Sequence, residues 1–339
     1  MPDTRKEWPV RPDPQALSYL LAGLAVPLVL HFHLLPAVFA GLAVHVLTIK
    51  LARRLPDRWG GLARKLALAA IVAGAMLVVF GAGLGFWSFL GSHHGMAALL
   101  AAAAEILDNL KRTLPADLAA VLPDSVDDLG EQITTVLREH GRNITAAGMA
   151  GVKTFVHVLL GMVVGGMTAL HHFEGVEGWP PLAAALHVRA QRLVGAFDKV
   201  VFAQVKISGL NTVLTALYLL VILPLFGVRL PLLTVLVPLT FIAGMLPVIG
   251  NLISNAAIVV ISLGVSLGVA LASILFLILI HKLEYFTNAR IIGGEVHARA
   301  WELLCAMLAM EAVFGMAGLV AAPVVYAWLK AELLAGELI

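Results

Sequence analysis

The residues best suited to chemistry in this chain are few, and most lie inside apolar sequence. In FIAGMLPVIGNLISN, Pro247 and Gly250 stand beside Asn251, with Asn255 four residues further on. Proline has no main-chain N–H to donate and interrupts a helix. The groups freed around Pro247–Asn251 would join the amides of Asn251 and Asn255, which share a helix face at that spacing, in a polar point able to hold a small solute or an ion. The alternative is a packing kink whose asparagines bond neighbouring backbone. Gln204, Lys206 and Asn211 gather near the start of another span. Lys206 could pair with an anion or carry its charge to the headgroups. Glu311 is the acidic residue set well inside the last apolar stretch. A carboxylate is costly in hydrocarbon, so Glu311 is expected to face protein interior or water, either as a proton or cation carrier or in a structural pair. Glu284 and Asn288, also four apart, fall in a polar stretch read as a loop, where they would hold the loop or gate it.

Other constellations exclude more than they suggest. His45 inside an apolar run reads as a hydrogen-bonded core histidine. His93–His94 and His171–His172 are adjacent pairs with no cysteine or carboxylate at ligand spacing, so no metal site is expected. Gly293–Gly294 lacks the lysine and hydroxyl of a phosphate loop, and neither a serine nucleophile elbow nor HExxH is present. An enzyme is therefore not expected, and no cofactor is implied. A net charge of +2 gives no reason to invoke nucleic acid. The single cysteine, Cys305, cannot form an intrachain disulfide and reads as a small core residue.

The elements that must position these residues are membrane helices. The 339 residues are 60% hydrophobic and 13% charged, and the mean hydropathy is +0.94. In hydrocarbon the backbone must satisfy its own hydrogen bonds, and the long continuous apolar runs do not alternate as barrel strands do. The expected fold is an all-α integral membrane protein with about seven or eight hydrophobic segments. One or two of these are broken or re-entrant helical hairpins, and a small helical insert is added.

Residues 1–16 are polar and read as a cytoplasmic N-terminus ahead of a retained first span. Residues 17–90 hold three spans, near Leu17–Leu35, Ala37–Ala52 and Leu66–Leu90. The first two form a hairpin. The basic run between the second and third carries Lys50, Arg53, Arg54, Arg58, Arg64 and Lys65, which places it in the cytoplasm. Residues 91–147 form a polar, amphipathic-helical insert expected on the outer side.

Residues 148–335 form a transport-like membrane domain. It begins with a span near Ala150–Leu170 that carries Gly161 and Gly165 at GxxxG spacing. An interfacial helix over about Phe173–Lys206 then leads into a span from Ile207 to Phe226. Half-helices meet near 247–251, a span follows over about Val265–Ile280, and the last apolar stretch is broken near 315–323. That stretch is either one kinked helix or a hairpin, and its breakers favour the hairpin.

Four stretches resemble the AI-2E family, the autoinducer-2 exporter-like or PerM-like bacterial permeases. They are FDKVVFAQVKISGLNTVLTALYLLVILPLFGV with Gln204 and Gly227, FIAGMLPVIGNLISN with Pro247 and Gly250, KLEYFTNARIIGGEVHARAWELL with Glu284 and Asn288, and FGMAGLVAAPVVYAWLK with Gly315, Gly318 and Pro323. Asn251 stands where the family usually has a second proline, and VHARAWELL lacks a proline usual in the family. The resemblance implies a multi-pass protein of the bacterial inner membrane. It also implies a homo-oligomer, with the pentamer as the family's number, and transport of autoinducer-2 or exchange of sodium and protons.

The combined expectation is a secondary permease or exporter of a small solute, autoinducer-2-like, driven by a proton or sodium gradient, with the lipid bilayer as its other partner. The alternative is a non-transporting membrane assembly or scaffold protein whose insert contacts a partner. A polar cavity reaching Asn251 would favour the first, and a dry centre the second.

Overall fold

The computed structural model describes residues 13–91, 141–171, 178–245, 249–296 and 298–339, with isolated positions between 104 and 135. Among the described residues the regular structure is all helical. Helix α1 spans Pro14–His31, with Asp13 capping its start by accepting from the Gln15 and Ala16 N–H groups. A turn at Phe32–Leu34, with His33 at φ 56°, leads into α2, Leu35–Ala52. A short 3-10 turn follows at Asp57–Trp59, then α3, Gly60–Gly91. Helix α4 is Gly141–Leu170, so the end of the sequence insert belongs to this helix; most of the rest of the insert lies outside the described residues.

Helix α5 corrects the expected division between an interfacial helix and a separate span. It runs unbroken over Pro181–Leu217, then through a π-helical turn at Tyr218–Ile222 and a final turn at Leu223–Leu225. The π turn precedes Pro224, which cannot send an N–H back to the carbonyl four residues earlier. Gly227, at φ 75°, ends the element. At the α-helical rise the whole is roughly 65 Å long, about twice the hydrocarbon thickness of a bilayer.

Two groups of helices share this long element. Its first half carries α1, α2 and the final element α9, Ala300–Ala335. Phe197 is buried between Val46 and Val324, and its ring meets Phe39 edge-on at 5.3 Å. Its second half carries α6, Leu233–Gly244, α7, Ile249–Val265, and α8, Leu267–Val296. Their core is Tyr218, Leu219, Leu236, Ile258 and Leu277. The expected α1–α2 hairpin is only a shared turn, since α2 packs chiefly on α4 and α1 on α5.

Helix α8 also corrects the sequence reading. The stretch read as a loop around Glu284 and Asn288 continues as helix to Val296. It contains no proline, and Lys282, Leu283, Glu284, Ala289 and Arg290 are good helix formers. Polar composition alone does not end a helix.

The α9 element is a hairpin, as its breakers suggested. Gly315 has φ 61° and ψ −145°, outside the helical region. The Glu302 carboxylate accepts from the Tyr326 hydroxyl at 2.5 Å and the Lys330 ammonium at 2.7 Å. In a straight helix, residues 302 and 326 would stand about 36 Å apart. The chain therefore folds back at Gly315 into a first arm, Ala300–Phe314, and a second arm, Met316–Ala335. Gly318 packs so closely on the Met310 carbonyl that no side chain fits there. The first arm is about 22 Å long and does not cross a hydrocarbon core of about 30 Å by itself.

Candidate functional site

The break in the apolar sequence forms a second helical hairpin. Helices α6 and α7 pack against each other as its two arms, and residues 246–248 between them, Pro247 included, lie outside the described residues. Gly250, the second residue of α7, lies against the Ala243 carbonyl so tightly that a Cβ would overlap it. Glycine is thus required there for the two backbones to approach.

The tip docks on a polar stripe of α5. Gln204 Nε2 donates to the Gly244 carbonyl at 2.7 Å, and Ser208 Oγ donates to the Phe241 carbonyl at 2.6 Å. Helix α6 leaves its last carbonyls without helical partners, and α5 supplies the donors. Further along the stripe, Asn211 Nδ2 donates to Asn251 Oδ1 at 3.2 Å. Gln204, Ser208 and Asn211 are spaced four and three residues apart, so one face of α5 presents all three. Ser254, one turn beyond Asn251, is buried and donates to the Gly250 carbonyl at 3.2 Å.

The polar line continues deeper. The Tyr218 hydroxyl meets Ser273 Oγ at 3.0 Å, and Ser273 meets Ser262 Oγ at 2.8 Å, with all three residues buried. The Tyr218 ring stacks on Phe276 at 3.8 Å. Ser262 is on α7 and Ser273 on α8, so the line crosses the hairpin that Ser266 closes by capping α8.

The structure therefore brings Gln204, Asn211, Gly250 and Asn251 together. Asn255 is half-buried one turn along α7 from Asn251. Lys206 is on the exposed side of α5. Glu284 and Asn288 sit on α8, and their side chains are outside the description. Glu311 does not face the interior: it is exposed on the first arm of α9, in a stripe with Trp301, Leu304 and Leu308. Cys305 on the same arm is likewise exposed rather than a core residue. The first arm packs through its other side, and hydropathy alone does not say which side.

The sequence reading missed a buried charged cluster. Arg189 and Arg192 of α5 both donate to Glu332 Oε2 on the second arm of α9, the Arg192 bond being 2.5 Å. Arg189 also donates to Gln15 Oε1 at 2.9 Å and Ser18 Oγ at 3.3 Å on α1, and its guanidinium lies 3.5 Å from the Tyr19 ring centre. The available signal was the Arg189–Arg192 spacing of three, which puts both on one face. Nothing local pointed to Glu332 as their partner.

Discontinuous helices with polar linings occur in membranes where they serve solute passage. A sequence profile described as AI-2E family transporter matches residues 17–337. The chain belongs to the AI-2E transporter family. No curated protein and no solved structure gave a match. Six helical stretches among the described residues of this AI-2E member are long and apolar enough to cross a membrane, which makes it a multi-pass membrane protein. One of the six is the whole α9 hairpin and another the whole of α5.

The cavities described between α2, α3, α4 and α5 and around Arg189 lie away from the break, and neither Asn251 nor Asn255 lines them. In this conformation Gln204, Ser208 and Asn211 of α5 each hold a hydrogen bond to the α6–α7 hairpin.

Proposed function

We propose that this AI-2E family member is a secondary permease of a small solute whose pathway passes the α6–α7 hairpin tip. The observation that carries this reading is the docking of the tip on α5 through three single bonds: Gln204 and Ser208 donate to the Gly244 and Phe241 carbonyls at the end of α6, and Asn211 donates to the Asn251 side chain. Such a join can part and reform at the cost of a few hydrogen bonds, each worth about 1 kcal/mol net. Opening it would expose Asn251, Asn255 and the freed carbonyls to one side of the membrane. Driving energy would come from a proton or sodium gradient, with Glu311 as the carrier. Exposure of Glu311 on a single chain fits coverage by a second copy or by a water-filled passage, since open hydrocarbon would penalise it. Autoinducer-2 is the cargo the family name suggests.

The test is flux in proteoliposomes of the bacterial inner-membrane type, with autoinducer-2, protons and sodium each offered as cargo. Asn251→Leu is expected to lower flux at least about tenfold while gel-filtration behaviour and melting stay near wild type. Glu311→Gln is expected to flatten the dependence on pH or sodium. Full flux through Asn251→Leu would remove the pathway from the tip, and unchanged ion dependence in Glu311→Gln would remove the coupling role.

A second reading is favoured by the three hydrogen bonds that hold the tip on α5: a homo-oligomeric assembly protein in which the tip serves packing alone. It predicts no flux of any of the three cargoes, together with loss of oligomer when the exposed α9 stripe is altered.

A further inference from the structure

A cavity of about 1060 Å³ lies between α2, the start of α3, α4 and α5. It shares no lining residue with the α6–α7 tip. Its size is at the upper end of ligand pockets. We propose that it binds an amphipathic anion, an acyl chain carrying a carboxylate or phosphate head.

Its walls are graded. Helices α2 and α4 run parallel, because Gly161 packs on Ala37 and Gly165 on Gly41, while His45 Nδ1 meets Thr168 Oγ1 at 3.0 Å. Along this pair, Leu34, Ala37, Val38 and Leu160 line one end of the cavity, and Arg53, Arg64 and His171 line the other. The His45–Thr168 pair stands between them. From residue 37 to residue 53 the helical rise covers about 24 Å, comparable to a long acyl chain with its head. On the α5 wall, Gln191 and His187 meet at 2.8 Å.

The charge in the cavity has one sign. Arg53 and Arg64 line it, and no carboxylate does so among the described residues. A neutral lipid would leave unused the attraction of the exposed Arg53 and half-buried Arg64 for an anion. A sugar phosphate or nucleotide would leave the Leu34–Leu160 end unfilled. An acyl anion satisfies both ends, since guanidinium binds carboxylate and phosphate through charge-assisted hydrogen bonds. The anion could come from the bilayer or arrive as a free amphiphile.

The full chain, purified in a neutral maltoside detergent, is tested with two probes. Radiolabelled palmitate represents a free amphiphile, and phosphatidylglycerol, followed by native mass spectrometry, represents a bilayer lipid. Hexadecanol is the uncharged control. Saturable binding at one site per chain is expected for at least one anionic probe. Palmitate alone would identify a free amphiphile as the ligand, and phosphatidylglycerol alone a bilayer lipid. Arg53→Gln with Arg64→Gln should weaken binding about tenfold or more. Val164→Trp, at an exposed position on the cavity wall, should weaken it similarly by filling space, with melting unchanged as the check on folding. No saturable binding of either probe, equal binding of hexadecanol, or binding indifferent to both variants would each overturn the proposal.

Discussion

Glu332→Gln is expected to lower the thermal midpoint in detergent by on the order of 10 °C. Glu332 and Arg189 are only 4% and 5% exposed. The glutamine keeps the shape of the side chain and removes its charge, so Arg189 would hold a buried guanidinium with only neutral oxygens from Gln15 and Ser18. Breaking such a pair from one side costs about 3–5 kcal/mol, mostly through the charge left behind. Arg192 is less constrained, because its side chain is 30% exposed and can turn to water. Arg192→Gln should therefore be several-fold milder than Glu332→Gln. The double variant Arg189→Gln/Glu332→Gln removes both buried charges and should recover most of the loss. A double-mutant cycle from the four melting curves gives the coupling directly. If Glu332→Gln melted with the wild type, water would be reaching Arg189 and the cluster would not be a buried clamp. The cluster ties α1, α5 and the second arm of α9, so its effect should fall on stability first.

What was legible in the sequence, and what was not, divides along physical lines. Some breaks were legible from residues that fit a helix poorly, although Pro27, Pro238 and Pro323 lie inside helices that continue through them. Gly250 marked the close approach of α6 and α7 because it lacks a Cβ, and Gly315 and Gly318 marked the α9 fold-back for the same reason. The GxxxG of α4 was visible as spacing, but its partner was not, because Ala37 and Gly41 form only a weak small-residue pattern on α2. The continuity of α5 was hidden by its charges. Arg189, Arg192 and Asp198 suggested a segment lying in water or at the interface, yet Glu332 and Lys50 pair with them from distant parts of the chain. Such pairing is tertiary and leaves no local trace. The outward direction of Glu311 and Cys305 was hidden for a related reason: the first arm of α9 is apolar on all sides, so periodicity assigns it no inner face.

The position of α5 gives the two hairpins a common support. Gln204, Ser208 and Asn211 receive the α6–α7 tip, while Leu193, Ala196 and Val200, earlier on the same helix, share a cluster with Ala327 and Trp328 of the second arm of α9. Trp328 Nε1 also donates to the Arg189 carbonyl at 3.2 Å. A tilt of α5 would therefore be felt at both hairpins. The permease reading needs such a link, because a pathway that opens alternately to each side requires paired movements. The π turn at Tyr218–Ile222 lies beyond the tip contacts. Tyr218, at the start of the turn, bonds Ser273, so the turn begins where the buried Ser262–Ser273 line meets α5.

Gly165→Val is expected to destabilise the chain by about 3 kcal/mol or more, with loss of α2–α4 packing. A Cβ on Gly165 would fall on the main chain of Gly41, and one on Gly161 on that of Ala37. Backbone cannot rotate aside as a side chain can, so the helices must separate. Separation would break the His45–Thr168 hydrogen bond and lose dispersion contacts along the whole contact line. In membranes that packing is a main source of helix association, because lipid tails compete for apolar surface. The controls lie on the same helix. A Cβ on Gly148 or Gly151 meets nothing within 4 Å. Gly151→Ala should therefore leave melting unchanged or raise it, by up to about 1 kcal/mol from the helix propensity gained. Melting of the three proteins side by side separates the two effects. A Gly165→Val protein as stable as Gly151→Ala would mean that α2 and α4 do not approach through these glycines. A loss confined to Gly165→Val would establish that the close contact, and not glycine's flexibility, is what the sequence retains at this position, since both glycines have the same freedom in the unfolded chain.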